Sequence, residues 1–226
     1  PVTRKQYSEA FELVKGLSPE EAKGYVFAAY FKFNYHTPDY LKGLLALIAS
    51  YRSVRSKFGF LVYTVEAMPE CVNEALKKLG VEIVVLDPLI SKSGLLDGPW
   101  RSSFDKLVAW KLTKYKRMVL LDTDTMMVAN ADELMGFPEL TASLDYCFGC
   151  VAGDNINAGV VVIQPNIDSY KNMQEYATNE KSCLSKTFKW FDQELLICLY
   201  SKMFVALRHH IGQIFQLPYI YNAKPA

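Results

Sequence analysis

Two aspartates, Asp122 and Asp124, follow an apolar segment, residues 117–121, with one residue between them. The apolar segment predicts a buried strand, so the pair is expected at the edge of a sheet where parallel strands end and ligands bind. Residues i and i+2 of an extended chain lie on the same side. Two carboxylates so placed offer the hard oxygen donors that Mg²⁺ and Mn²⁺ prefer, and the sequence therefore predicts a divalent-metal site.

Two kinds of reaction use such an acidic pair. In a haloacid-dehalogenase-type phosphatase the pattern Asp122, Asp124, Thr125 would supply a nucleophile and a general acid. That pattern usually ends the first core strand, whereas three predicted strands come before it here, and Ala158 stands where a second acid after Asp154 is needed. In a glycosyltransferase the pair holds a metal that bridges the diphosphate of a nucleotide sugar, and this interpretation is favoured.

The elements that position the pair alternate along the chain. Strands are predicted at residues 25–31, 58–65, 81–86 and 117–121, with helices at 40–51, 69–79 and 103–115. Leu41, Leu44, Leu45 and Ile48 would form the apolar face of the first of these helices. Such a series predicts an α/β fold with a doubly wound, mostly parallel, Rossmann-like sheet.

Both ends of this series carry further elements. Residues 1–24 form a helical extension in which Ser18, Pro19 and Glu21 mark a helix start. After residue 128 the pattern is mixed, with strands at 141–146 and 159–164 and helices at 167–177 and 191–200. We therefore expect one domain over residues 25–226 whose second half completes the site.

Composition excludes several classes of protein. Half of the 226 residues are apolar and 22% are charged, which is typical of a folded domain. Lys and Arg number 25 and Asp and Glu 24, so the net charge of +1 gives no electrostatic case for nucleic acid or an anionic membrane. The longest uncharged apolar run is about seven residues, against about twenty for a membrane span.

The cysteines and the chain start bear on the cellular compartment. Five cysteines at irregular spacing favour free thiols in a reducing, cytoplasmic compartment. Cys147 and Cys150 form a CxxC pair, but no second pair or nearby His completes a zinc site. The first residue is Pro1, which indicates a processed form or an excised fragment.

Several segments in series resemble the glycogenin-like glycosyltransferases of family eight, which include galactinol synthases and bacterial galactosyltransferases. The likeness runs from about residue 25 to residue 222. The segments that carry it are residues 37–43 (TPDYLKG), 104–107 (FDKL), 121–125 (LDTDT), 157–160 (NAGV), 192–193 (DQ) and 217–222 (LPYIYN).

This resemblance implies a GT-A fold, a UDP-linked hexose donor, Mn²⁺ or Mg²⁺, and transfer with retention of configuration. The metal would be held by Asp122 and Asp124, and the catalytic residues would be Lys106, Asp192 and Gln193. The residues expected to contact the donor are Thr37, Tyr40, Lys106, Asp122, Thr123, Asp154, Asn157, Ala158, Gly159, Asp192 and Gln193. The acceptor would be a glycan, a protein or a small molecule.

Several assignments have a structural alternative. Asp122 and Asp124 also fit a turn that happens to carry two aspartates. Lys106 also fits a solvated helix lysine, and Tyr40 fits core packing as well as it fits stacking on the base. Gly159 also fits the crowded start of a strand where only a glycine has room, and this is compatible with a place beside the sugar. Asp192 and Gln193 also fit a helix cap.

The C-terminal end departs from the family pattern. The third metal ligand of the family is a His in an HxxGxxKPW segment beyond LPxxYN, but this sequence ends at Ala226. His209 and His210 are an alternative source of this ligand, although they precede the LPxxYN element and lack the following Lys-Pro-Trp. The domain is thus expected to lack this C-terminal segment. The alternative function is a module that binds sugar nucleotides with little or no transferase activity.

Overall fold

The structure is a computed structural model, and it describes residues 3–34, 36, 38–89, 101–144, 156–178, 196 and 215–216. Within these residues the strands are β1 Tyr25–Tyr30, β2 Gly59–Thr64, β3 Glu82–Val85, β4 Arg117–Leu121, β5 Thr141–Leu144, β6 Ile156–Ile163 and β7 Phe215–Gln216. The α-helices are α1 Arg4–Gly16, α2 Pro19–Ala22, α3 Asp39–Ser53, α4 Glu70–Lys78 and α5 Ile167–Thr178. Two 3₁₀ helices span Arg101–Lys111 and Asp132–Gly136.

The described strands form one sheet in the order β3-β2-β1-β4-β6-β5-β7. Strands β1 to β4 are parallel, and β6 then pairs antiparallel with both β4 and β5. Because the strand order reverses direction at β1, the ligand crevice of a doubly wound sheet is expected where β1 and β4 end. The predicted α/β class, with a parallel first half and a mixed second half, is confirmed.

Side chains of the central strands alternate between two apolar layers. In β4, Met118 and Leu120 pack in the layer that contains Trp110. Val119 and Leu121 pack in the opposite layer, which contains Leu44 of α3. Burial on both faces explains why the sequence of this strand is an unbroken apolar run, and it holds the end of β4 rigidly.

Two predicted helices differ from those observed. In α3 the buried residues are Leu44, Leu47 and Ile48, while Leu45 is 39% exposed, so the predicted apolar face was wrong in that position. The helix expected over residues 103–115 is a 3₁₀ helix that ends at Lys111. Most of its second half is buried, so tertiary packing rather than helix propensity sets its backbone.

The N-terminal helices pack on the sheet. Ala10 and Val14 of α1 belong to the same apolar layer as Phe27 of β1. The Tyr7 hydroxyl donates a hydrogen bond to Glu133 in the second 3₁₀ helix, at 3.2 Å. The predicted helix start at Ser18 is confirmed, since Ser18 and Glu21 form a reciprocal capping box.

In the part of the chain that the structure describes, no helix has both the length and the apolar character needed to cross a membrane. Cys71, which lies in that part, is a free thiol.

Candidate active site

The acidic pair lies at the carboxyl edge of the sheet, immediately after β4. The amide of Asp122 donates to the carbonyl of Gly159 at 2.9 Å, which extends the pairing with β6 by one residue. The amide and hydroxyl of Thr125 both donate to the carbonyl of Asp122, at 3.0 and 2.6 Å. The chain therefore turns at Asp122, and the expected extended geometry of Asp122 and Asp124 was wrong. Asp124 is exposed, and the Asp122 side chain is 41% exposed.

Lys106 reaches this edge from the first 3₁₀ helix. Only 6% of the residue is exposed, and its ammonium group donates to Oδ1 of Asp122 and to the carbonyl oxygen of Ala158. The alternative of a solvated helix lysine is therefore wrong. A buried cation needs such partners, because removal from water costs several kcal/mol if the charge is left uncompensated.

The segment 157–159 contacts both members of this ion pair. The carbonyl of Ala158 accepts a hydrogen bond from the Lys106 ammonium, and the carbonyl of Gly159 accepts one from the Asp122 amide. Oδ1 of Asn157 accepts from the amide of Gly159 at 2.8 Å, which fixes the local backbone. The predicted place of Asn157 and Gly159 beside the donor sugar stays a prediction, and the segment that contains them contacts Lys106 and Asp122.

Helix α3 begins close to the acidic turn. A Cβ built on Gly43 would lie 2.5 Å from the carbonyl oxygen of Thr123, so this approach requires a glycine. Tyr40, one turn earlier, is 59% exposed, and the alternative of core packing for its ring is wrong. An exposed ring near the strand ends is available for stacking.

Two tyrosines near the same edge were not identified from the sequence. The hydroxyl of Tyr63 in β2 donates to the backbone carbonyl of Lys106 at 2.8 Å. Tyr30 ends β1, and burial, followed by the nearby charges of Asp105 and Glu66, raises the pKa of its phenol, which stays neutral. Their signal in the sequence is a position near the end of a predicted strand.

The donor chemistry of Asp122 and Asp124 fits a divalent cation, since both are hard oxygen ligands. Among the described residues no cluster of three or more His, Cys, Asp or Glu side chains is arranged to hold a metal. Several predicted residues lie outside the described residues, namely Thr37, Asp154, Asp192, Gln193, Cys147, Cys150, His209 and His210. The segment 217–222 also lies outside them.

Comparison with known proteins gives the class of this domain. No family model matches the sequence. Glycogenin-1 of Oryctolagus cuniculus is 30% identical over 189 residues, covering 81% of this chain and 52% of the relative. Galactinol synthase 2 of Arabidopsis thaliana is 25% identical over 183 residues, covering 65% of this chain and 54% of the relative. The chain thus spans about half the length of these curated relatives.

A solved structure supports the fold independently. The apo-form glycosyltransferase GlyE of Streptococcus pneumoniae superposes with a TM-score of 0.57 at 16% identity, over 87% of this chain and 45% of that chain. Together with the curated matches, this shows that the domain has the GT-A fold found in glycosyltransferases. In sequence the chain is similar to glycogenin, and the predicted resemblance to family eight is confirmed.

Proposed function

We propose that this chain carries the catalytic domain of a metal-dependent, retaining hexosyltransferase with a UDP-linked sugar donor. The main support is the ion pair between the Lys106 ammonium and the Asp122 carboxylate at the carboxyl edge of the sheet. This edge is where doubly wound folds bind nucleotides. Relatives that share this part of the sequence include glycogenin-1 and galactinol synthase 2.

Asp122 and Asp124 are the proposed ligands of Mn²⁺ or Mg²⁺. A divalent cation bound there offsets the negative charge that develops on the departing nucleoside diphosphate. The partial exposure of Asp122 and the exposure of Asp124 support this role, because both carboxylates are open to a ligand in the crevice.

Lys106 is the proposed second source of positive charge. Its position is fixed by Asp122, by the carbonyl of Ala158 and, through its own backbone, by the hydroxyl of Tyr63. A cation held in place before the reaction stabilises the leaving group without a reorganisation cost. Tyr40, with an exposed ring near the start of α3, is the proposed stacking partner of the base.

The proposed transfer proceeds on one face of the sugar. The bond from the anomeric carbon to the diphosphate oxygen breaks, and a bond from the acceptor oxygen to that carbon forms on the same side. The acceptor proton passes to the departing phosphate oxygen. Asp192 and Gln193 are proposed to bind the sugar hydroxyls, and the acceptor is a hydroxyl of a glycan, a protein or a small molecule.

Thermal unfolding with and without ligands tests this proposal. UDP-glucose and UDP-galactose with Mn²⁺ should raise the melting temperature, because ligand at 100 times its Kd stabilises the native state by about 2.7 kcal/mol. Asp124→Asn should abolish the Mn²⁺-dependent part of the shift. A separate assay of UDP release in the presence of acceptors distinguishes the two functions: binding without release would support the sugar-nucleotide-binding module. No shift in melting temperature with any nucleotide sugar would contradict both the transferase and the binding module.

A further inference from the structure

Asp122 lies beside a cation that the protein itself supplies. The Lys106 ammonium contacts Oδ1 of this carboxylate, and the Lys106 side chain is 8% exposed while that of Asp122 is 41% exposed. The cation is thus the buried member of the pair, and the carboxylate is the member that faces the crevice. Any second cation reaches Asp122 from the solvent side.

Two cations on one carboxylate oppose each other. A buried ammonium retains its charge only beside compensating groups, and Asp122 and the carbonyl of Ala158 are two such groups beside Lys106. A divalent ion that binds Asp122 weakens this compensation and repels the ammonium across a short distance. Asp124 is exposed and offers the ion one further carboxylate, but it has no contact through which it could compensate the Lys106 ammonium among those described for it.

We propose that Lys106 is a resident counter-cation that lowers the affinity of Asp122 for free divalent metal and thereby couples metal binding to nucleotide binding. The inference rests on the proposed function, since it takes Asp122 as a metal ligand. A nucleoside diphosphate supplies negative charge that compensates the Lys106 ammonium in place of Asp122. The carboxylate is then available to the metal, and the ion and the nucleotide bind cooperatively.

This coupling is reciprocal by thermodynamic linkage. UDP should increase the affinity for Mn²⁺ by the same factor by which Mn²⁺ increases the affinity for UDP. Without nucleotide the site holds its own cation and binds metal weakly. Loss of the nucleoside diphosphate after transfer likewise returns Asp122 to Lys106 and releases the ion.

Binding of Mn²⁺ can be measured from the electron paramagnetic resonance signal of the free ion, with and without UDP. The test variants are Lys106→Met, which keeps an unbranched side chain without charge, and Lys106→Gln, whose amide still offers a hydrogen-bond donor if Lys106→Met fails to fold. The matched control is Lys111→Met, in the same 3₁₀ helix. This control removes the same charge, since the Lys111 ammonium forms an ion pair with exposed Asp87, with 3.2 Å between Nζ and Oδ2.

Without UDP, we expect Mn²⁺ to bind the folded Lys106 variant at least about tenfold more tightly than wild type, which corresponds to about 1.4 kcal/mol. UDP should strengthen Mn²⁺ binding in wild type and in Lys111→Met, and much less in the Lys106 variant. Equal or weaker binding of Mn²⁺ alone in the Lys106 variant overturns the inference.

A second substitution separates this inference from the proposed function. Asp122→Asn in the Lys106 variant should abolish the gained Mn²⁺ affinity. If Mn²⁺ binding persists, Asp122 is not a ligand, and both proposals are overturned. If Asp122→Asn in wild type removes Mn²⁺ binding with UDP but the Lys106 variants match wild type, the metal site stands and the counter-cation role is wrong.

Discussion

Gly43 at the start of α3 lies against Thr123 in the acidic turn, with 2.5 Å between the position of a Gly43 Cβ and the Thr123 carbonyl oxygen. This distance is too short for any side chain, and the obstacle is backbone rather than a flexible side chain. The packing of α3 therefore fixes where the chain turns after β4. The geometry of Asp122 and Asp124 depends on a residue almost eighty positions earlier in the sequence.

Gly43→Ala should displace the acidic turn. Overpacking of this kind costs about 1–3 kcal/mol in the free energy of unfolding, and Mn²⁺-dependent donor binding should weaken as well. Urea unfolding and titration with UDP-glucose measure the two effects. Gly16→Ala is the control, because a Cβ there meets no atom within 4 Å in the described part of the chain. Wild-type stability and donor affinity in Gly43→Ala would show that the contact does not position the turn.

Tyr63→Phe should weaken donor binding through Lys106. The lost hydrogen bond to the Lys106 carbonyl should cost about 1 kcal/mol in unfolding free energy and loosen the backbone that carries the ammonium. Tyr51→Phe is the matched control, since the hydroxyl of Tyr51 also donates to a backbone carbonyl, that of Phe58, at 2.5 Å. Both variants should lose similar stability, but only Tyr63→Phe should lose donor affinity several-fold. Equal donor affinities in the two variants would remove Tyr63 as a positioning residue.

Asn157→Ala should lower both stability and donor affinity, whereas Asn157→Asp should retain most of both. The reason is that Asp keeps the oxygen that accepts from the Gly159 amide, and Ala leaves that amide without this acceptor. The expected loss for Ala is about 1 kcal/mol in unfolding free energy. Chemical unfolding and UDP titration of the two variants check this. Similar losses in both would mean that the amide nitrogen of Asn157, rather than its oxygen, is the functional group.

Glu82 in β3 should make the stability depend on pH. Burial raises the pKa of its carboxyl, but hydrogen bonds from Lys114 and Tyr115 outweigh burial and hold the pKa below the ordinary value of 4.5. A lowered pKa in the folded state stabilises the protein above pH 4.5, and this stabilisation is lost as the pH falls through the folded-state value. The effect is modest, because the side chain is 47% exposed.

Melting temperatures of wild type and Glu82→Gln should therefore differ more at pH 7 than at an acidic pH below 4.5. Glu12→Gln, which removes the same charge from the exposed face of α1, is the control. A difference between wild type and Glu82→Gln that is equally large at both pH values would contradict the lowered pKa.

Local sequence signals predicted the elements on which the site is built. Strand β4 has the predicted bounds because an apolar run buried on both faces ends at the first carboxylate, Asp122. The helix after Ser18 begins as predicted because its cap is made by neighbouring residues, Ser18 and Glu21. Gly80 follows α4 with φ of 75°, as expected for a glycine that ends a helix.

Contacts between distant elements could not be read in the same way. The spacing of Lys106 within residues 103–115 does not tell whether its side chain faces solvent or the strand ends. Its burial follows from the packing of the 3₁₀ helix against β2, including the hydrogen bond from Tyr63. The turn at Asp122 likewise depends on β6 and α3, through Gly159 and Gly43.

The proposed transfer of a hexose with retention is tested most directly by the configuration of the sugar released from UDP-glucose in the presence of Mn²⁺. Proton NMR of the first-formed product, before mutarotation, distinguishes the two anomers when water serves as acceptor. We expect α-glucose and free UDP from the α-linked donor, and we expect Asp124→Asn to form neither. Formation of β-glucose first would contradict retention, and UDP release unaffected by Asp124→Asn would contradict the metal site.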